Sequence, residues 1–110
     1  STFMIVGGDF SNKDDSTGNY CFTRDRGQTW IPGLTPPGGY RSCVEYLNKN
    51  TWITCGLNGV DLTEDDGLHF RNISKEGFHV CRKAKKGNSV FLAGSKGRIA
   101  IFNPALMTTF

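Results

Sequence analysis

Long apolar runs are missing from this 110-residue chain, and so is any window with the periodicity of an amphipathic helix of useful length. The first absence removes a membrane-spanning helix and the second a helical-bundle fold. No C-x-x-C spacing occurs among Cys21, Cys43, Cys55 and Cys81, which argues against zinc and against a redox dithiol read from spacing. No G-x-G-x-x-G follows a strand-like run, and no cluster of metal-ligating residue types stands out. Neither a cofactor nor a metal is expected. Charge of one sign is also scarce, at a formal +3 with a pI near 8.8. The one dense basic run, Arg82-Lys83-Ala84-Lys85-Lys86, leads into the turn signal Gly87-Asn88 and has no aromatics interleaved for base stacking. A solvated hairpin tip is expected there, not a nucleic-acid site.

The residues that are abundant point one way. Fourteen glycines, with many Asn, Asp, Ser and Thr residues and an ordinary 37% apolar content, favour a turn-rich all-β protein. One pattern, S/T-x-D-x-G-x-x-W/F, occurs twice, as Thr23-Arg24-Asp25-Arg26-Gly27-Gln28-Thr29-Trp30 and as Thr63-Glu64-Asp65-Asp66-Gly67-Leu68-His69-Phe70. This is the Asp-box. Its aspartate can bond the backbone of a tight turn, its glycine permits positive φ, and its closing aromatic is expected to anchor the outgoing strand in an apolar layer. A forty-residue repeat of small β units predicts stacked propeller blades.

Strand-length runs divide the chain accordingly. Residues 3–9, 19–24 and 29–31 precede a connection rich in proline and glycine at 32–39. Residues 40–47, 51–56, 60–63 and 69–73 make four strands, and 78–84, 89–94 and 98–102 begin another unit. Gly39-Tyr40-Arg41-Ser42-Cys43 aligns with Gly77-Phe78-His79-Val80-Cys81, and Cys55-Gly56 through Gly59 with Ala93-Gly94 through Gly97, both at an offset of 38. With blade strands lettered A to D from the inside outwards, 1–33 reads as a partial blade B-C-D. Residues 39–74 form a complete blade, 77–102 a partial blade A-B-C, and 103–110 a C-terminal tail. No third Asp-box appears near residue 103, where Asn103-Pro104 is expected to stop the strand. The reading is about two and a half four-stranded antiparallel blades in one segment. Such a stack exposes two apolar faces, so the expected partners are the remaining blades of a longer propeller, whose N-terminal end would supply the last blade's strand D, or self-association.

Cys43 and Cys55 flank an expected hairpin turn at 48–50. Two states stay open for them: a bridge across that hairpin in an oxidising compartment, and buried free thiols, the usual behaviour of strand-embedded cysteine. Asn72-Ile73-Ser74 fits a glycosylation sequon but falls in an expected strand end.

The ordered segments Ile5-Val6-Gly7-Gly8-Asp9, Gly39 through Val44, Gly59-Val60-Asp61, Gly77-Phe78-His79-Val80 and Gly97-Arg98-Ile99-Ala100, taken with both Asp-boxes, resemble the C-terminal blades of bacterial BNR-repeat propellers. These are related to the photosystem II stability/assembly factor family, whose bacterial members often carry the label oxidoreductase. The resemblance covers nearly the whole chain. It implies a seven-bladed propeller, often exported in bacteria, and in the photosynthetic branch a scaffold for membrane-protein assembly. No residue pattern here supports the redox label. Phe70 in place of the box tryptophan and the acidic pair Asp65-Asp66 depart from the pattern without disturbing the turn.

Loops joining D to A and B to C converge at one end of a propeller, opposite the Asp-box turns. The candidate ligand-binding residues at that channel rim are Arg41, Asp61, His79, Lys96 and Arg98, a mainly cationic set suited to an acidic small ligand or a protein partner's acidic segment. Arg41 with Asp61 reads equally as a structural ion pair, and His79 as a satisfied buried imidazole. Asp25, Gly27, Trp30, Asp65, Gly67 and Phe70 are assigned structural roles, and no residue a catalytic one. The function expected is a noncatalytic binding or assembly scaffold. The alternative is a sialidase-like glycoside hydrolase, with Arg41 and Arg98 for a sugar carboxylate and Glu45 with Tyr46 as chemistry; neighbours on a strand point to opposite faces, which separates that last pair.

Overall fold

Alternation of apolar and polar residues between glycine-rich turns produces three antiparallel sheets in the computed structural model, which describes residues 1–103 and 106–109. The first pairs β1 (Phe3–Val6) with β2 (Tyr20–Thr23), and an isolated bridge from Phe22 to Ile31 adds a third line of chain. The second is a meander of β3 (Cys43–Asn48), β4 (Thr51–Gly56), β5 (Gly59–Thr63) and β6 (Phe70–Ser74). The third is a second meander of β7 (Val80–Lys83), β8 (Val90–Ala93), β9 (Ile99–Asn103) and β10 (Leu106–Thr109). A 3-10 turn, Ser95–Gly97, joins β8 to β9. Among the described residues no helix is long and apolar enough to cross a membrane.

Several sequence expectations change here. The segment 103–110 is not a plain tail: β10 runs antiparallel to β9, with Met107 opposite Phe102 and Thr109 opposite Ala100. Asn103 ends β9, and Pro104, read as a strand stop, lies with residues 105 and 110 outside the described residues. The third sheet therefore takes its fourth strand from this chain, and the edge of β9 is not left for a strand from elsewhere. Residues 29–31 contribute only the Ile31 bridge, and β3 begins at Cys43 because the Arg41 and Ser42 amides are used by Gly7 O and Cys55 O instead of a regular ladder.

The sheets stack face on face. Ile53 and Cys55 on β4, with Val60 and Leu62 on β5, form one apolar core with Cys81, Val90, Leu92, Ala100 and Phe102 of the third sheet. Both faces of β4 and β5 are covered, so Trp52, Thr54, Asp61 and Thr63 on the opposite face are buried as well. Phe70, cross-strand partner of Thr63, packs there against Tyr20 and Phe22 of the first sheet, with Met4, Val6 and Ile31 around them. One interface is thus apolar, the other partly polar. The chain at Leu34 and Thr35 hydrogen-bonds to Leu68 and Phe70 and covers the outer edge of β6.

The outermost faces remain open. Phe3, Ile5 and Trp30 are about half exposed on the first sheet, and Val80, Phe91 and Ile99 on the third. Trp30 was expected to sit in an apolar layer; among the described residues no sheet lies over it. Phe70, at the same place in the second box, has the first sheet over it and is 5% exposed against 41% for Trp30.

Candidate functional site

The two Asp-box turns fold by one hydrogen-bond network. The Thr23 hydroxyl donates to Asp25 Oδ1 at 2.8 Å and accepts from Gly27 N at 2.9 Å, while Asp25 Oδ1 accepts from Thr29 N at 2.7 Å. In the second turn the same bonds join Thr63, Asp65, Gly67 and His69 at 2.8, 3.0 and 2.8 Å. Gly27 and Gly67 have φ of 91° and 99°, as the motif requires. The Thr29 amide, then the Thr23 and Thr29 hydroxyls, hold the Asp25 carboxyl below its usual range. Burial pulls Asp65 upward, but bonds from the His69 backbone and ring and from the Thr63 hydroxyl outweigh it and leave Asp65 lowered. These aspartates are occupied by their turns. The threonine at the first motif position, to which the sequence reading gave no role, is a hub of the turn in both copies.

At the other end of the sheets, Arg41 and Asp61 meet. Both are essentially buried, at 1% and 2% exposed. Arg41 Nε donates to Asp61 Oδ2 at 2.8 Å and its Nη2 to the same oxygen, while Nη1 donates to Tyr40 O and to Asn58 Oδ1 at 2.8 and 2.7 Å. Asp61 also accepts from Gly38 N and from the Asn72 amide, at 3.1 and 3.2 Å. The guanidinium nitrogens and both carboxylate oxygens are engaged within the protein, so the pair holds the 38–41 segment to β5 and offers no free group to a ligand. Asn58 and Asn72 are members of this knot that sequence reasoning missed; Asn58 lies in the β4–β5 turn, and Asn72 stands opposite Asp61 on β6, a pairing with no local signal. Asn72 spends its amide on Val60 O, Asp61 and Ser74 O, which ties down the sequon asparagine.

The other three rim candidates are not gathered into this knot. His79 precedes β7 with its side chain exposed, contrary to a buried imidazole, and its carbonyl accepts from the Ser42 hydroxyl at 2.7 Å. Lys96 is exposed at the centre of the 3-10 turn with φ of 60°. Arg98 is half-buried: its Nη2 donates to Gly77 O at 2.8 Å and its guanidinium lies 5.5 Å from the centroid of the Phe78 ring. Arg41 and Arg98 therefore make separate structural contacts. Glu45 accepts from Lys83 N at 2.7 Å, and Tyr46 packs edge-on against Trp52 at 5.1 Å between ring centroids.

A cavity of about 470 Å³ lies at the opposite end, between Tyr46, Trp52, Lys49, Asp66 and residues 1 and 2. Asp66 there accepts from Trp52 Nε1 at 2.9 Å and from the Thr2 hydroxyl at 2.6 Å. It contains none of the five rim candidates. Among the described residues no group of His, Cys, Asp and Glu side chains is arranged to hold a metal ion.

Three cysteines converge between the second and third sheets. Cys43 Sγ donates to Cys81 O at 3.2 Å and Cys81 Sγ to Ile53 O at 4.0 Å, with Cys55 buried in the same core. All four cysteines are free. Compared with known proteins, the chain matches no family, no curated protein and no solved structure.

Proposed function

We propose that this chain is a noncatalytic binding and assembly scaffold, made of consecutive blades of a β-propeller related to the photosystem II stability/assembly factor family. The observation that carries the reading is the equivalence of the covered and open sheet faces. Met4 and Val6 face the second sheet as Ile53 and Cys55 face the third, and Phe91 and Ala93 occupy the same strand positions on the open side of the third sheet. At the other end Phe3 and Ile5 hold the positions of Trp52 and Thr54, which the first sheet covers. Each open face repeats one half of an interface already present in the molecule, so it fits a further sheet of the same kind. Because β10 gives the third sheet four strands, whole-sheet stacking onto a next unit leaves no surplus strand.

In this reading Asp25, Gly27, Asp65, Gly67, Arg41 and Asp61 build the stack, and His79 and Lys96 are the rim residues whose side chains remain exposed for an acidic segment of a partner. The residues that suggested a glycosidase are held in packing: Arg41 by Asp61, Arg98 by Gly77, Glu45 by the β7 backbone and Tyr46 by Trp52. A photo-crosslinking phenylalanine analogue placed at position 91 tests the stacking. The scaffold reading expects crosslinks between chains, mapping to the Phe3, Ile5 and Trp30 face. Crosslinks scattered over the surface, or none at high concentration, would contradict it.

A further inference from the structure

Cys43 and Cys81 stand at equivalent positions of successive repeats, 38 residues apart, a spacing that carries no dithiol signal in the sequence. Stacking of the second and third sheets brings them together at the inner edge, where β3 packs on β7. The Cys43 side chain is half-buried and turned toward β7, with its sulfur on the Cys81 carbonyl. Cys81 is 1% exposed, its thiol directed to the Ile53 carbonyl at 4.0 Å, and it shares the core with the fully buried Cys55. One cysteine of the trio is therefore half-buried and the other two are buried.

We infer that Cys43 and Cys81 form a redox-active thiol site, oxidised by a hydroperoxide to a disulfide that staples the second sheet to the third. The Cys43 thiolate attacks the terminal peroxide oxygen, the O–O bond breaks, and the alcohol, or water from hydrogen peroxide, leaves. Cys43 is then a sulfenic acid. The Cys81 sulfur attacks the Cys43 sulfur, the S–S bond forms, and the sulfenic oxygen departs as water with the Cys81 proton. In sum, two thiols and one hydroperoxide give a disulfide, an alcohol and water, the peroxide oxygens receiving the two electrons that the sulfurs lose. A dithiol reductant reverses the change.

The electrostatics suit this division of labour. The Cys81 thiol beside it lowers the Cys43 pKa to about 6 against the opposing effect of burial, which favours Cys43 as the attacking sulfur. The charged groups facing it are Glu45 on its own strand, which opposes the shift, and Arg82 on β7, which assists it; β4 brings no charge. Its thiol neighbours and burial push Cys81 up, so Cys43 and not Cys81 is the sulfur that meets the peroxide, and Cys81 gives up its proton as it attacks the sulfenic acid. Cys43 pairs with Cys81 and not with its cross-strand neighbour Cys55, because its thiol already points across the sheet interface.

Treatment of the full chain with hydrogen peroxide, followed by a non-reducing tryptic map, distinguishes the outcomes. The expected product is a linked pair of the peptides 42–49 and 76–82, with the loss of two hydrogen atoms from the intact mass. A link between 42–49 and 50–71 is the Cys43–Cys55 bridge and overturns the assignment, as does oxidation that produces no intramolecular link. In Cys81→Ser the link disappears and sulfenic acid accumulates on Cys43. Should that variant fail to fold, limited iodoacetamide labelling of the unmodified chain near neutral pH reads the same site. Cys43 labelled ahead of the other three cysteines, with the peroxide link blocked, supports the assignment. Labelling that begins elsewhere, or a link that survives alkylation of Cys43, overturns it.

Discussion

Without the Arg41 guanidinium, Asp61 would face the sheet interface with only the Gly38 amide and the Asn72 side chain to hold its charge. Arg41→Met is therefore expected to lower unfolding stability by about 3–5 kcal/mol, the usual cost of a buried charge left without its partner. The double variant Arg41→Met, Asp61→Leu should be less destabilised than Arg41→Met alone, as read by urea denaturation; a fully additive loss would mean that the two side chains do not act as a pair. The ion pair itself was one of two readings open from the sequence, since a strand-end arginine and a turn aspartate fit a ligand site equally well. Burial decides between them, and burial here comes from the 38–41 segment folding back over β5, a tertiary event with no local signature. The same holds for Cys81, which sheet stacking brings to the cross-strand pair Cys43 and Cys55.

At the scale of the element, the two Asp-box turns compare one motif in two surroundings. Gly27 and Gly67 share the same backbone conformation, but a methyl group on Gly67 would lie 2.9 Å from Met4 Cε and 3.1 Å from Phe22 Cδ1, whereas one on Gly27 would find only Trp30, at 3.7 Å. Gly27→Ala is expected to cost about 1–3 kcal/mol for the left-handed backbone alone. Gly67→Ala should cost measurably more, and equal losses would show that the first sheet does not press on the second turn. The aspartates make the turns acid-sensitive. Their carboxyls titrate lower in the folded chain than in the unfolded one, so their contribution is complete above the unfolded value of about 4 and is lost as pH falls through the folded values. Thermal melts of the chain and of Asp65→Asn between about pH 2 and 6 should show a shallower acid slope in the variant; parallel slopes would remove Asp65 as a source of acid lability. The turns and β4 were legible because their signals are local: a motif, and an alternating run between turn residues. The β10 strand was not, because Pro104 reads as a terminator while pairing with β9 depends on the sheet already being formed.

The whole molecule is a stack whose ends resemble its own interior. The two internal interfaces are built from repeating strand positions, and the same positions at the ends present Phe3, Ile5 and Trp30 on one side and Val80, Phe91 and Ile99 on the other. The repeat was legible as a period and an offset; which aromatic would lie open was not, since Trp30 and Phe70 occupy the same motif position and differ only in whether a sheet lies over them. The solution mass of the chain by light scattering, measured over rising concentration beside Phe91→Lys and Phe3→Lys, tests the central claim most directly. Association of the unmodified chain that either substitution suppresses is the predicted result, because each removes one of two complementary faces. A chain that stays monomeric at every concentration, or associates equally well in both variants, would contradict the view that this molecule is built to continue as a stack of sheets.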